Sequence, residues 1–243
     1  MKNFPDDNVV AKYDVDVFAS NKKSNKYVVI CHGFGGPKIT YDQYDVLFDV
    51  LLKKYNLVSF SFSGCKDGDL SKMDSVVEWV CDLKNIVGYI REMEKDAEIV
   101  LFGISMGAWV STLYCCSDPE IVKNICIGPV FTLHTGMKMH GGVALHYLLS
   151  SGISVFNDKE VSASFLKSLI QNQPVNMMLQ GKYDTETAIF AGECDNIFRK
   201  TDALIANDIM KEKSSLHEIK KGMHFINNAE SIHSLTKFIV ETL

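Results

Sequence analysis

No stretch of this 243-residue sequence approaches the roughly 20 consecutive apolar residues that a membrane span needs, although 47% of its residues are apolar. The opening MKNFPDDNVV lacks the apolar core of a secretory signal. There is no basic excess: 25 Lys and Arg face 30 Asp and Glu, for a net charge of −5 and a pI near 5.8. No Lys/Arg stripe stands out either, so nucleic acid is not an expected partner. The seven cysteines (Cys31, Cys65, Cys81, Cys115, Cys116, Cys126 and Cys194) contain no C-x-x-C pair and sit mostly in apolar runs. That distribution fits small buried hydrophobes in a reducing compartment better than a disulfide framework or a zinc site. Internal repeats and low-complexity tracts are also absent. A soluble cytoplasmic protein of one large domain or two small ones is expected, with a core large enough to need no staples.

What is present is an alternation of apolar runs and helical stripes. In VAKYDVDVF, residues 10–18, Ala11, Tyr13, Val15 and Val17 alternate with Lys12, Asp14 and Asp16, the period of a half-buried strand. YVVIC, 27–31, is continuously apolar, as a strand covered on both faces is. Further strands are expected at 57–62, 98–103, 121–128, 187–192 and 215–220. Between and after them, helices are expected at 41–55, 72–94, 106–117, 200–212 and 229–242, their apolar residues recurring at helical spacing. Such alternation predicts a mostly parallel sheet of about seven strands with helices on both faces. Residues 131–186 break the rhythm. They carry short helical patterns without a clear strand–helix pair and read as an insertion between two sheet strands.

The sharpest motif is Gly103-Ile104-Ser105-Met106-Gly107, placed between the apolar run EIVLFG and the helical pattern MGAWVSTLYCC. A G-x-S-x-G turn between a strand and a helix is a nucleophile elbow. The turn is so tight that side chains at 103 and 107 would collide with neighbouring elements, and the strained backbone lifts the Ser105 hydroxyl above the sheet. The loop His32-Gly33-Phe34-Gly35-Gly36 follows the first buried strand. Acyl transfer needs two backbone donors for its oxyanion. Those expected here are the N–H groups of Met106, at the start of the helix, and Phe34, in this loop.

A serine hydroxyl is a weak nucleophile without a base. His224, in KKGMHFINN just after the last strand, is the histidine at the same sheet edge. His32 belongs to the glycine-rich loop, His134, His140 and His146 to the insertion, His217 to a strand and His233 to a helix. The base needs an acid to orient it. Asp195 in IFAGECDNIF is favoured, with Glu193 and Asp184 as competitors; Glu193 lies nearer the strand end, where its side chain should point away. The order Ser105, Asp195, His224 suits a sheet of this kind.

Taken together, CHGFGG, FGISMG, AGECDNIF and GMHF resemble the α/β-hydrolase superfamily over nearly the whole chain. The chain looks most like its small-capped carboxylesterases, the cinnamoyl/feruloyl-esterase and monoglyceride-lipase-like group, some of which share a VS-x-x-F stretch similar to EVSASFLKSL. Relatives often carry an R-G-H-G-x-S-like loop after the second parallel strand. Here the loop reads FSGCKDGDLS, with Cys65 in the histidine's place, and the leading hairpin looks trimmed to one strand. The resemblance implies an α/β-hydrolase core at 1–130 and 187–243, with a small helical cap at 131–186 over Ser105. It also implies a serine carboxylesterase acting on a small-molecule ester, without metal or organic cofactor. Methionines and aromatics in the cap, such as Met137, Tyr147 and Phe165, would favour uncharged, largely apolar esters. A thioesterase or acyltransferase would use the same triad, and a non-catalytic binding protein could share the fold.

Overall fold

The computed structural model describes residues 7–66, 73–133, 153–156, 159–197, 200–226 and 228–243. The chain opens with helix α1 (Asp7–Tyr13), strand β1 (Asp16–Phe18) and strand β2 (Lys26–Cys31). Helix α2 (Asp45–Leu51), strand β3 (Asn56–Phe60), helix α3 (Val76–Met93), strand β4 (Glu98–Ile104), helix α4 (Met106–Cys115) and strand β5 (Ile121–Ile127) follow. After the insertion come strand β8 (Thr187–Gly192), helix α7 (Lys200–Met210), strand β9 (Ser214–Ile219) and helix α8 (Ala229–Thr242).

Seven strands form one sheet in the order β1-β3-β2-β4-β5-β8-β9. All pairs are parallel except β1 with β3 at the edge. The chain winds from β2 outward to β3, then crosses back to β4 on the other side of β2. In open α/β sheets the cleft for chemistry lies above the strand ends at such a reversal. Two apolar clusters, one on each face, explain why β2, β3, β4 and β8 read as continuous apolar runs. Trp79, Ile86 and Ile90 of α3 and Trp109 of α4 fill one face, while Phe48 of α2 and Leu235 and Ile239 of α8 fill the other. Helix α4 is buried along all its length, and it therefore shows no polar face in sequence.

The amino-terminal strand is much shorter than its alternation suggests. Residues 7–13 are helical, and only Asp16–Phe18 pair with β3. Val9 and Tyr13 lie one helical turn apart and both enter the core, whereas Ala11 is exposed. Asp14 then turns the chain at φ 49°, and the Ser61 N–H donates to the Tyr13 carbonyl at 2.7 Å. The helical spacing of two large residues outweighs an alternation that rested partly on an alanine.

The insertion contributes strand β6 (Ile153–Phe156), strand β7 (Lys159–Ser162), helix α5 (Ala163–Gln171) and helix α6 (Pro174–Leu179). β6 and β7 pair as an antiparallel hairpin, which the helical patterns of this segment did not foreshadow. Phe165, Leu166, Leu169 and Met178 join the core on the α3–α4 face. The segment is tied to the core at two points: the Val76 N–H donates to Ser168 Oγ at 2.8 Å, and buried Asp202 accepts the Phe131 N–H at 2.6 Å. Met137 and Tyr147 lie outside the described residues.

Candidate active site

Ser105 stands between β4 and α4 at φ 54° and ψ −115°, a backbone conformation that L-residues avoid. Holding it there costs about 1–3 kcal/mol. The glycines make the turn possible. A Cβ at Gly107 would lie 2.0 Å from the Cys31 carbonyl oxygen of β2, and one at Gly103 would lie 2.5 Å from the Ala108 Cα of the helix. The Ser105 N–H is tied to the Ile127 carbonyl at 2.8 Å. The side chain of Ser105 does not cap its own helix, and this leaves the hydroxyl available to another partner.

That partner is His224. Its Nε2 lies 2.9 Å from Ser105 Oγ, and its Nδ1 lies 2.8 Å from Asp195 Oδ2. With Asp195 ionised, Nδ1 carries the proton and donates it to the carboxylate, and Nε2 is left to accept from the serine hydroxyl. The other carboxylate oxygen of Asp195 accepts the Ile197 N–H at 2.8 Å. All three side chains are buried, so these bonds are shielded from competing water. The loops after β4, β8 and β9 deliver them to one edge of the sheet.

The competing acids are elsewhere. Glu193 turns outward to accept the Lys221 N–H at 2.9 Å, and exposed Asp184 pairs with Lys213 at 3.2 Å. His217 stacks on Phe190 and reaches Ser215, and His233 bonds back to its own helix at Ala229. His134, His140 and His146 lie outside the described residues. A separate cavity of about 410 Å³, lined in part by Cys116, Lys182, Asp184 and Lys213, opens at the amino-terminal ends of β5 and β8, the edge opposite Ser105.

Met106 is the first residue of α4, so its N–H belongs to the first turn, whose amides have no intrahelical acceptor. Phe34 occupies the turn after β2, closed by Gly35 at φ 70°. This loop runs close over the elbow, since a methyl on Gly33 would come within 3.4 Å of Ser105 Cβ. The Phe34 ring lies 6.2 Å from that of Trp79 and 6.3 Å from that of Phe165. Phe165 is only 1% exposed. It anchors the insertion beside the loop and presents almost no surface to a ligand.

Several supports carry no motif. His32 is buried, accepts the Phe62 N–H through Nε2 at 2.9 Å and donates from Nδ1 to the Gly33 carbonyl at 2.7 Å. Burial lowers its pKa from 6.5 to about 4, so the ring is neutral and ties the loop after β2 to the loop after β3. Asp82 accepts both the backbone N–H and the hydroxyl of Ser63, and so holds the loop that contains buried Cys65. A carboxylate inside the apolar stripe of α3 was the available signal for Asp82. For Tyr44, whose hydroxyl donates to the Phe225 carbonyl, the sequence carries none.

The sheet order and the strand-end origin of these side chains define an α/β-hydrolase fold. A monoacylglycerol lipase from Paleococcus ferrophilus shares it at 16% identity and a TM-score of 0.74, over 95% of this chain and 97% of that one. Est1E from Butyrivibrio proteoclasticus, with ferulic acid bound, matches at 13% identity and 0.73, over 95% and 93%. A soluble variant of monoglyceride lipase from Saccharomyces cerevisiae, in complex with a substrate analog, matches at 14% and 0.73, over 94% and 89%. The chain itself belongs to the hydrolase family described as serine aminopeptidase, S33, which matches residues 22–155. No curated protein matches the sequence. Among the described residues, no helix is long and apolar enough to cross a membrane.

Proposed function

We propose that the protein is a serine hydrolase of carboxylic esters with uncharged, largely apolar substrates, working through an acyl-enzyme. The observation that carries this reading is the continuous chain of hydrogen bonds from Asp195 through His224 to Ser105 at a strained strand–helix turn. Ser105 Oγ attacks the acyl carbonyl carbon while its proton passes to His224 Nε2. The carbonyl oxygen becomes an oxyanion and is met by the N–H groups of Met106 and Phe34. The C–O bond to the alcohol then breaks, and the imidazolium returns its proton to the departing oxygen. Water repeats the sequence in reverse roles and frees the acid. Asp195 stays ionised throughout and stabilises the imidazolium.

Residues 131–186 act as a cap in this reading, and the half-buried Phe34 with the exposed Phe225 supplies an apolar surround for the ester. The structural neighbours described as a monoacylglycerol lipase and as a monoglyceride lipase with a substrate analog support an ester substrate. The free thiols of Cys31, Cys81, Cys115, Cys116, Cys126 and Cys194 fit a reducing, cytoplasmic setting.

Labelling by a fluorophosphonate probe, followed by turnover on p-nitrophenyl esters of graded acyl length with thioester and anilide analogues alongside, tests the proposal. Ester turnover that dominates the panel, together with an adduct on Ser105 that is lost in Ser105→Ala, is expected. Dominant thioester turnover would make the protein a thioesterase, and dominant anilide turnover would bring it to the aminopeptidase chemistry of its family description. No adduct in folded protein would make it a non-catalytic member of the fold.

A further inference from the structure

The turn after β9 is held more firmly than positioning His224 alone explains. The Ile226 N–H donates to the Met223 carbonyl at 3.1 Å, and Ile226, a fully buried β-branched residue, adopts φ 47°. Such a residue rarely takes positive φ, and it persists only where its surroundings over-determine it. Tyr44 clamps the intervening Phe225 carbonyl from α2's side of the sheet. The outcome is a buried His224 beside a Phe225 that is 45% exposed, its ring edge-on to the imidazole with centroids 4.8 Å apart.

Gly33 supplies an independent observation on the same spot. A methyl built on it would lie 3.4 Å from Ser105 Cβ and 3.6 Å from Phe225 Cε1, in ordinary contact with both. The missing side chain at residue 33 therefore leaves a gap about one carbon wide that borders both Ser105 Cβ and the exposed ring. The proton returned by His224 Nε2 must reach the departing alcohol oxygen within hydrogen-bond distance. The group attached to that oxygen consequently lies beside the imidazole, where Phe225 stands.

We propose that Gly33 and Phe225 form the leaving-group slot of the active site, shaped for alcohol portions that are flat or unbranched next to the ester oxygen. A planar aryl group fits the gap and meets the Phe225 ring, whereas a tertiary carbon does not fit. This rests on the acyl-enzyme reading above and assigns the alcohol side of the ester to this slot.

The test compares wild type, Phe225→Ala, Phe225→Leu and Gly33→Ala on two ester series. One holds the acyl group as acetate and varies the alcohol (phenyl, n-butyl, tert-butyl). The other holds phenol and varies the acyl chain. Because each variant is read as a ratio to wild type, the intrinsic reactivity of each ester cancels. Phe225→Ala is expected to lower kcat/KM for phenyl acetate relative to tert-butyl acetate about tenfold, and Gly33→Ala to lower phenyl and n-butyl acetate by a similar factor. Phe225→Leu, which keeps apolar bulk at an exposed site, loses the aryl preference without loss of melting temperature. Ratios within the acyl series stay level in all three. Unchanged alcohol ratios, or a change confined to the acyl series, would overturn the slot while leaving ester hydrolysis standing. A wild type that turns over no ester and takes no fluorophosphonate would remove the acyl-enzyme reading and the slot with it.

Discussion

His32 and His224 are buried to almost the same degree, 1% and 3% exposed, and each has both ring nitrogens engaged. They stand at the carboxyl ends of two strands of the same sheet, β2 and β9. The partners differ. Both ring nitrogens of His32 bond to backbone, a carbonyl on one side and an N–H on the other, and neither of these partners can change charge. His224 bonds to a carboxylate on one side and a hydroxyl on the other, so a proton taken from the hydroxyl finds a stabilising anion across the ring. Burial alone marks a histidine as important to the molecule. Whether it can serve only as a tie or also as a base follows from the ionisable character of what it faces.

The largest expected effects separate these two roles. Ser105→Ala and His224→Gln should each lower ester kcat/KM by about 10⁴-fold or more with the fold retained. Circular dichroism alongside turnover checks this, and an active Ser105→Ala protein breaks the assignment. Gly107→Ala should fail on the other count, because the new methyl meets the backbone of β2. A destabilisation of about 3 kcal/mol or more is expected, measured by denaturant titration.

His32 makes the sharper test of the comparison. Its folded-state pKa is lowered from 6.5 to about 4, so between those values the unfolded chain binds more protons than the folded one. Stability is therefore complete above about pH 6.5 and falls as the pH drops toward 4, by about 3 kcal/mol in all. His32→Gln should lower stability at pH 7 and flatten that slope, as melting curves across pH 4–8 would reveal. A slope that survives the substitution would assign it to other groups.

A smaller effect isolates the strain at the elbow. Ser105→Gly removes the hydroxyl, as Ser105→Ala does, but it also relieves the positive φ. The glycine variant should be the more stable of the two inactive proteins by about 1 kcal/mol, read as a difference in denaturation midpoint. If the alanine variant were the more stable, the turn would not be strained. Gly36→Ala should do almost nothing, within about 0.5 kcal/mol, because no atom lies within 4 Å of its would-be methyl.

Most of the sheet was legible in the chain because strands covered on both faces must be continuously apolar, and the crossover helices carry their stripes at the period of the helix. Ser105, Asp195 and His224 were legible for a related reason: the residues after a parallel strand all emerge at one edge, so order along the chain becomes proximity in space. The hairpin at Ile153–Phe156 and Lys159–Ser162 was not, since two four-residue strands repeat too briefly to stand out from short helical turns. Nor was the helix at Asp7–Tyr13, where seven residues satisfy both periods at once.

The sequence by itself determined the alternation of elements and the elbow, which depend on neighbours a few residues apart, and the chain order of Ser105, Asp195 and His224. Only the tertiary structure decided that His32 is a neutral tie, that Tyr44 clamps Phe225 from 181 residues away and that Gly33 keeps a gap beside Ser105. Those outcomes depend on which loops the sheet brings to the same edge. Contacts between side chains and distant backbone leave no periodic trace in the chain that forms them.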